Sequence, residues 1–165
     1  MVHSMSRKEA EKAGALLIGS LQEGYACYPA LLLRGTKEKM KAFLLQVTEA
    51  QQCYADFYYP SFEEKAQKQF LAGLSDQERE YMQCIECTEG KIYYPLDDEI
   101  CTFLLDITAR EWLFSSFYFT EKRAVLWGNY QMTFPLFCED EEVREYYSRL
   151  ARACGLQTEM MESQK

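Results

Sequence analysis

Cys84 and Cys87 are the residue pair whose spacing best suits chemistry, because two residues separate them. That spacing is typical of a redox dithiol or of half a zinc site. A redox thiolate is normally found at a helix N-terminus, whereas this pair falls in the last turn of a helix predicted over 76–87. A zinc site needs two more ligands, and only Cys101 and Cys138 are candidates if the fold brings them near. We therefore interpret the pair as ordinary thiols.

Histidine and acidic residues supply no convincing catalytic set. The one histidine, His3, lies at the start of the chain, which excludes Ser-His-Asp, Cys-His and histidine-based metal sites built from this chain alone. Two acidic runs, 97–99 and 139–142, have the residue types of a divalent-metal or acid/base site. Both lie where helices are predicted to begin, and the helix dipole is a sufficient explanation for them. We predict no catalytic residue, no metal and no cofactor.

The segment 112–137 is the most distinctive part of the chain, with nine aromatic residues among 26. Within it, Gly128 interrupts a run of large side chains. A glycine in such a strand permits a bulge, lets a neighbouring ring cover the gap, or admits a ligand, and a strand end entering a turn explains it as well. If the segment forms a ligand or partner site, its predicted lining residues are Trp112, Tyr118, Trp127, Asn129 and Tyr130.

The same segment predicts three strands. Residues 112–119, 123–130 and 133–138 are rich in aromatic and branched side chains, and the gaps between them are short enough for hairpins. They predict a three-stranded antiparallel meander over about 112–138. Because Pro135 has no N–H to donate, the third strand is expected at an edge of the sheet or only partly paired.

Three helices are predicted from the capping signature Ser-x-x-Glu at residues 6, 61 and 75. With the apolar spacing that follows, these signals predict helices over 7–22, 61–72 and 76–87. Gly24 is placed to end the first of them.

The second half of the chain carries two further helix signals. Residues 96–109 fit both strand and helix spacing, and Asp97 as an N-cap favours the helix. A last helix is predicted from 139 to a stop at Gly155. Residues 1–5 are expected to be frayed, and about 157–165 to form a polar tail.

Composition limits the partners and the compartment. The net charge of −8 and the isoelectric point near 4.8 repel a phosphate backbone, so nucleic acid and anionic membranes are not expected partners. The apolar runs are far shorter than the ~20 residues of a membrane span, and no signal-peptide pattern opens the chain. Seven scattered cysteines, an odd number, suit reduced thiols in a cytoplasmic protein.

Together these patterns predict one α+β domain over 1–165, mostly helical, with the small meander packed against helices. Twelve tyrosines, an acidic surface and the lack of a catalytic set indicate a non-catalytic protein-protein interaction module of the adaptor, inhibitor or immunity type. Its expected partner is another protein, and the acidic charge suits a basic one. The oligomeric state stays open.

Two alternative functions are kept. One is a small-molecule sensor or carrier with an aromatic pocket of roughly 300 Å³ or more between sheet and helices. The other is a histidine-independent enzyme that uses carboxylates, Tyr or Cys, which a cleft or buried cluster of perturbed ionisable groups would favour.

Overall fold

The computed structural model describes residues 1–162 of the chain. Two single 3-10 turns occur at Tyr59–Ser61 and Tyr130–Met132. The other elements, in chain order, are α1 Arg7–Lys12, α2 Leu21–Cys27, β1 Ala30–Arg34, α3 Lys37–Ala50, β2 Cys53–Asp56, α4 Glu64–Ala72, α5 Asp76–Met82, β3 Tyr93–Pro95, α6 Asp98–Ala109, β4 Phe117–Phe119, β5 Ala124–Leu126, β6 Thr133–Cys138, α7 Glu141–Ala153 and β7 Gln157–Met161.

The strands form one seven-stranded antiparallel sheet in the order β3-β2-β4-β5-β6-β1-β7. The prediction of a mostly helical domain with a three-stranded meander is therefore wrong. Strands β4, β5 and β6 do pair in sequence, but β2 continues the sheet beyond β4 and β1 continues it beyond β6. The fold is α+β with a large central sheet.

Side chains of each central strand alternate between two apolar cores. In β5, Ala124 and Leu126 belong to the larger core, whereas Val125 belongs to the smaller one. Helices α3, α6 and α7 contribute to the larger core, and α1, α2 and the segment between them cover the other face. Because both faces of the sheet are buried, the sequences of these strands are continuously apolar and do not alternate between apolar and polar residues.

Pro135 lies inside the sheet and not at its edge, so the edge expectation is wrong. The alternative expectation, that the third strand pairs only in part, is confirmed, because β6 pairs with β5 over residues 136–138 alone. Pro135 stands opposite Leu32 of β1, and β6 has neighbours on both sides. The Trp127 N–H donates to the Pro135 carbonyl at 2.8 Å. Since proline has no N–H to return, the pairing of β5 with β6 ends at this point.

The predicted helix over 7–22 is wrong, because the chain breaks after α1. Gly14 adopts a left-handed conformation with φ of +104°, which ends the helix and lets the next residues run extended over the sheet. Gly24 does not end a helix but lies within α2, where an added Cβ would come within 2.6 Å of the Phe137 ring. Its missing side chain allows close packing of α2 on the sheet.

The remaining helix predictions are partly confirmed. Ser6 and Ser75 cap α1 and α5 as predicted, whereas Ser61 belongs to a 3-10 turn and α4 begins at Glu64 without a side-chain cap. The helix predicted over 76–87 ends at Met82. The choice of a helix for 96–109 is confirmed, since α6 begins after Asp97, whose carboxylate accepts the Ile100 N–H at 2.9 Å.

Both ends of the described chain join the sheet region. Residues expected to be frayed make backbone hydrogen bonds, with Val2 bridging to Ile85 and Met5 to Tyr93. Residues 157–161, expected to belong to a tail, form the edge strand β7 beside β1, while 163–165 lie outside the described residues. Among the described helices, none is long and apolar enough to cross a membrane.

Candidate interaction surface

Trp112 is the first of the five predicted site residues, and it lies half-exposed in the loop after α6. Its indole N–H donates to the Phe70 carbonyl at 3.0 Å. Its ring lies on Gly73, where an added Cβ would be only 2.5 Å from the indole. The hydrogen bond and the close contact hold one face of the ring while 46% of the residue stays accessible.

Tyr130 is the most exposed of the five, at 62%. It opens the turn Tyr130–Met132, directly after the half-buried Asn129. Its ring meets the ring of Phe114 edge to face, with centroids 4.7 Å apart. We call Trp112, Phe114 and Tyr130 the aromatic rim.

Backbone strain is concentrated beside this rim. The non-glycine residues with positive φ among those described are Glu111 at +58°, Gln131 at +57° and Met132 at +50°. The Glu111 carboxylate accepts the Gln131 N–H at 2.9 Å, which ties the loop holding Trp112 to the turn holding Tyr130. Left-handed backbone at such residues costs about 1–2 kcal/mol each, and it clusters at functional sites.

Tyr118 and Trp127 lie elsewhere, in the smaller core. Tyr118 is 6% exposed and Trp127 contacts Phe137 edge to face at 6.4 Å. The gap at Gly128 is filled by backbone, since an added Cβ would lie 2.0 Å from the Ser115 carbonyl oxygen. The structure thus brings Trp112, Asn129 and Tyr130 to one loop region and leaves the other two residues inside the fold.

Asp56 is a buried ionisable group that the sequence analysis missed. It is 2% exposed, and its two carboxylate oxygens accept the Ser116 N–H at 2.8 Å and the Tyr118 hydroxyl at 2.7 Å. Burial raises the pKa of Asp56 to about 7, although both hydrogen bonds act in the opposite direction. The Tyr93 ring lies 5.6 Å from that of Tyr118. A lone carboxylate within the aromatic stretch 53–59 was the available signal.

This cluster is the kind of feature that the enzyme alternative calls for, but it is closed. Neither Asp56 nor Tyr118 offers more than 6% of its surface to solvent, and the hydroxyl already donates to the carboxylate. Burial, and then the Asp56 charge, also raise the pKa of Tyr118 well above its ordinary value. A substrate has no access to either group in this arrangement, so the cluster is a structural link between β2 and β4.

The cysteines are free throughout the described chain, with Cys84 and Cys87 exposed and Cys101 and Cys138 buried. The pair follows α5 and does not lie in its last turn, which corrects the expected position. Desolvation, and then the Glu86 carboxylate, raise the pKa of Cys87. In residues 1–162, no three His, Cys, Asp or Glu side chains are placed to hold a metal ion.

Two grooves in the described part of the chain are lined largely by acidic residues. The first groove, of about 580 Å³, lies between α5 and α6, and the second, of about 510 Å³, lies beside the start of α7. The predicted acidic runs contribute to them, with Asp98 and Glu99 in the first and Glu139 in the second. Neither groove is lined by the five predicted site residues, so neither supports the aromatic pocket of the carrier alternative.

Comparison of the chain with protein family models, with curated proteins and with solved structures finds no match. The functional argument therefore depends on the geometry of the chain itself.

Proposed function

We propose that this protein acts by binding another protein, and that the aromatic rim is the centre of the contact. The observation that carries the proposal is the exposure of Trp112 and Tyr130 directly beside Glu111 and Gln131, whose backbone has positive φ. Tyr and Trp are enriched among the residues that contribute most to protein interfaces. Strained backbone that keeps large rings in solvent costs stability, and a binding surface explains why such a conformation is retained.

The Tyr130 ring of the rim packs little against the rest of the fold and is accessible to a partner. The Tyr130 ring has the Phe114 ring as its described ring contact and remains mostly accessible. Its burial against a partner would remove a large apolar surface from water, at roughly 25 cal/mol for each Å². The Glu111–Gln131 hydrogen bond holds the backbone next to Tyr130, and the Phe114 ring contacts the Tyr130 ring, so less conformational freedom is lost on binding.

The charge of the molecule favours a basic partner. The net charge of −8 and the first groove, whose lining residues include no Lys, Arg or His, attract positive surfaces and repel nucleic acid. Opposite charge around an aromatic centre accelerates association and excludes like-charged competitors.

Affinity capture from the native host tests this proposal. The wild-type chain, Tyr130→Ala and Tyr146→Ala are used as baits, because Tyr146 is a partly exposed tyrosine at 37% that lies on α7 outside the rim. We expect a protein retained by wild type and by Tyr146→Ala but lost with Tyr130→Ala. A hot-spot truncation costs about 2 kcal/mol or more, which is roughly a thirtyfold loss of affinity.

Two results would contradict the proposal. Retention of the same protein by all three baits would remove the rim from the interface. Failure of the wild-type bait to retain any specific protein would remove the binding function. Thermal unfolding of Tyr130→Ala must match that of wild type, since its ring is largely outside the core.

A further inference from the structure

The first groove has carboxylates on both walls. Glu78 and Glu80 contribute from α5, and Asp98, Glu99 and Asp106 contribute from α6. The described lining residues include no Lys, Arg or His. A cleft lined by one sign of charge concentrates the opposite charge within it.

Only part of this charge is compensated. The described ion pairs of these carboxylates are Asp98 with Lys41, Asp106 with Lys37 and Glu78 with Arg110. Glu80 and Glu99 are exposed and form no ion pair with another described residue. Each wall of the groove therefore presents one carboxylate that is available to a ligand.

The groove also has an aromatic lining. The Tyr81 and Phe103 ring centroids lie 5.1 Å apart, and both residues line the groove. The Tyr81 hydroxyl is buried without a hydrogen-bond partner in the described chain. Aromatic faces attract cations, and the carbon stems of Lys and Arg cover apolar surface while their charged ends reach carboxylates.

The groove lies close to Trp112 of the aromatic rim. Arg110, directly after α6, donates to both carboxylate oxygens of Glu78 at 2.6 and 2.8 Å. Trp112 follows two residues later and lies on Gly73, which is two residues before Ser75 of the groove lining. A single extended partner segment is able to contact both places.

We propose that the first groove binds a basic segment of the partner protein, with Lys or Arg side chains paired to Glu80 and Glu99. The proposal rests on the proposed protein-binding function and specifies the chemistry of the partner. A second copy of this chain is disfavoured because each copy carries a net charge of −8. A free polyamine shares the cationic chemistry but offers no side-chain pattern for the neighbouring rim.

The test uses fluorescence anisotropy with a labelled synthetic peptide that combines Lys, Arg and Leu, and the same peptide with Glu in place of its basic residues. Glu80→Gln/Glu99→Gln removes two charges from the first groove. Glu121→Gln/Glu142→Gln removes two exposed charges from the second groove and is the matched control. We expect the groove variant to bind the basic peptide about fivefold more weakly, the control to change by less than about twofold, and the acidic peptide not to bind.

Three outcomes of the peptide assay would overturn the inference. Equal weakening in both double variants would indicate an effect of net charge alone. The other two are no binding of the basic peptide to wild type and displacement of the peptide by spermidine at equal affinity. The captured partner separates this inference from the proposed function. If Tyr130→Ala loses that partner while Glu80→Gln/Glu99→Gln retains it with full affinity, the proposed function stands and the assignment of the groove is wrong.

Discussion

Replacement of Asp56 by Asn tests whether the buried carboxyl acts as we describe. The side chain is 2% exposed, and no described Lys, Arg or His forms an ion pair with it. Asn has the same shape and keeps an oxygen for the Ser116 N–H, while its amide is able to donate to the Tyr118 hydroxyl. The substitution therefore removes the titration and keeps most of the packing.

The sign of the effect follows from the direction of the pKa shift. Burial raises the folded pKa of Asp56 to about 7, above the ordinary value of 3.8 for an aspartate, so the folded state holds the proton more tightly than the unfolded state. The stability contributed by the protonated carboxyl is complete below the unfolded pKa and is lost as pH rises through the folded pKa. At 1.36 kcal/mol for each pKa unit, wild type loses roughly 3 kcal/mol relative to Asp56→Asn between about pH 4.5 and pH 8.

The assay is urea unfolding of both proteins across this pH range, followed by circular dichroism. All other titrating groups act alike in the two proteins, so the difference between their free energies of unfolding isolates Asp56. Asp76→Asn, at a carboxylate whose side chain is 99% exposed, controls for the loss of one charge. A difference that stays flat with pH, or that favours wild type increasingly as pH rises, would refute the account of this cluster.

Two backbone predictions concern the rim and its support. Gly128→Ala should destabilise the fold by about 3 kcal/mol, because its Cβ would meet the Ser115 carbonyl oxygen at 2.0 Å, whereas Gly19→Ala, facing only the end of the Glu23 side chain at 3.0 Å, should change stability by less than about 0.5 kcal/mol. Equal unfolding midpoints for these two variants would contradict the close approach. Gln131→Gly should raise the free energy of unfolding by about 0.5–1 kcal/mol, because φ at this residue is +57°. A loss of stability in chemical denaturation would show that the turn is not strained.

Local signals were predictable from the sequence, and long-range pairing was not. The helix start at Asp97 and the cap at Ser6 each depend on a hydrogen bond between near neighbours, and both predictions hold. Strand β1 was missed because Leu31 pairs with Leu136, far away along the chain. The apolar run at 30–33 fits a buried strand, yet periodicity alone does not name its partner.

The candidate site shows the same limit. Aromatic type pointed to Trp112 and Tyr130, which are exposed, but it pointed equally to Tyr118, which is buried. The backbone angles distinguish the exposed rings from the buried one, since Glu111 and Gln131 beside the exposed rings have positive φ. The sequence does not predict these angles, because Glu and Gln rarely adopt positive φ. Asp56 was missed because a carboxylate in a short strand resembles a surface residue until the sheet is covered on both faces.

The most direct test of a binding role for the rim is hydrogen exchange of the chain with and without its captured partner. We predict slower exchange of backbone amides over 110–114 and 129–133, around Trp112 and Tyr130, and unchanged exchange over 141–146 at the start of α7. Protection confined to α7 or to the edge strand β7, with unchanged exchange around the rim, would contradict the account.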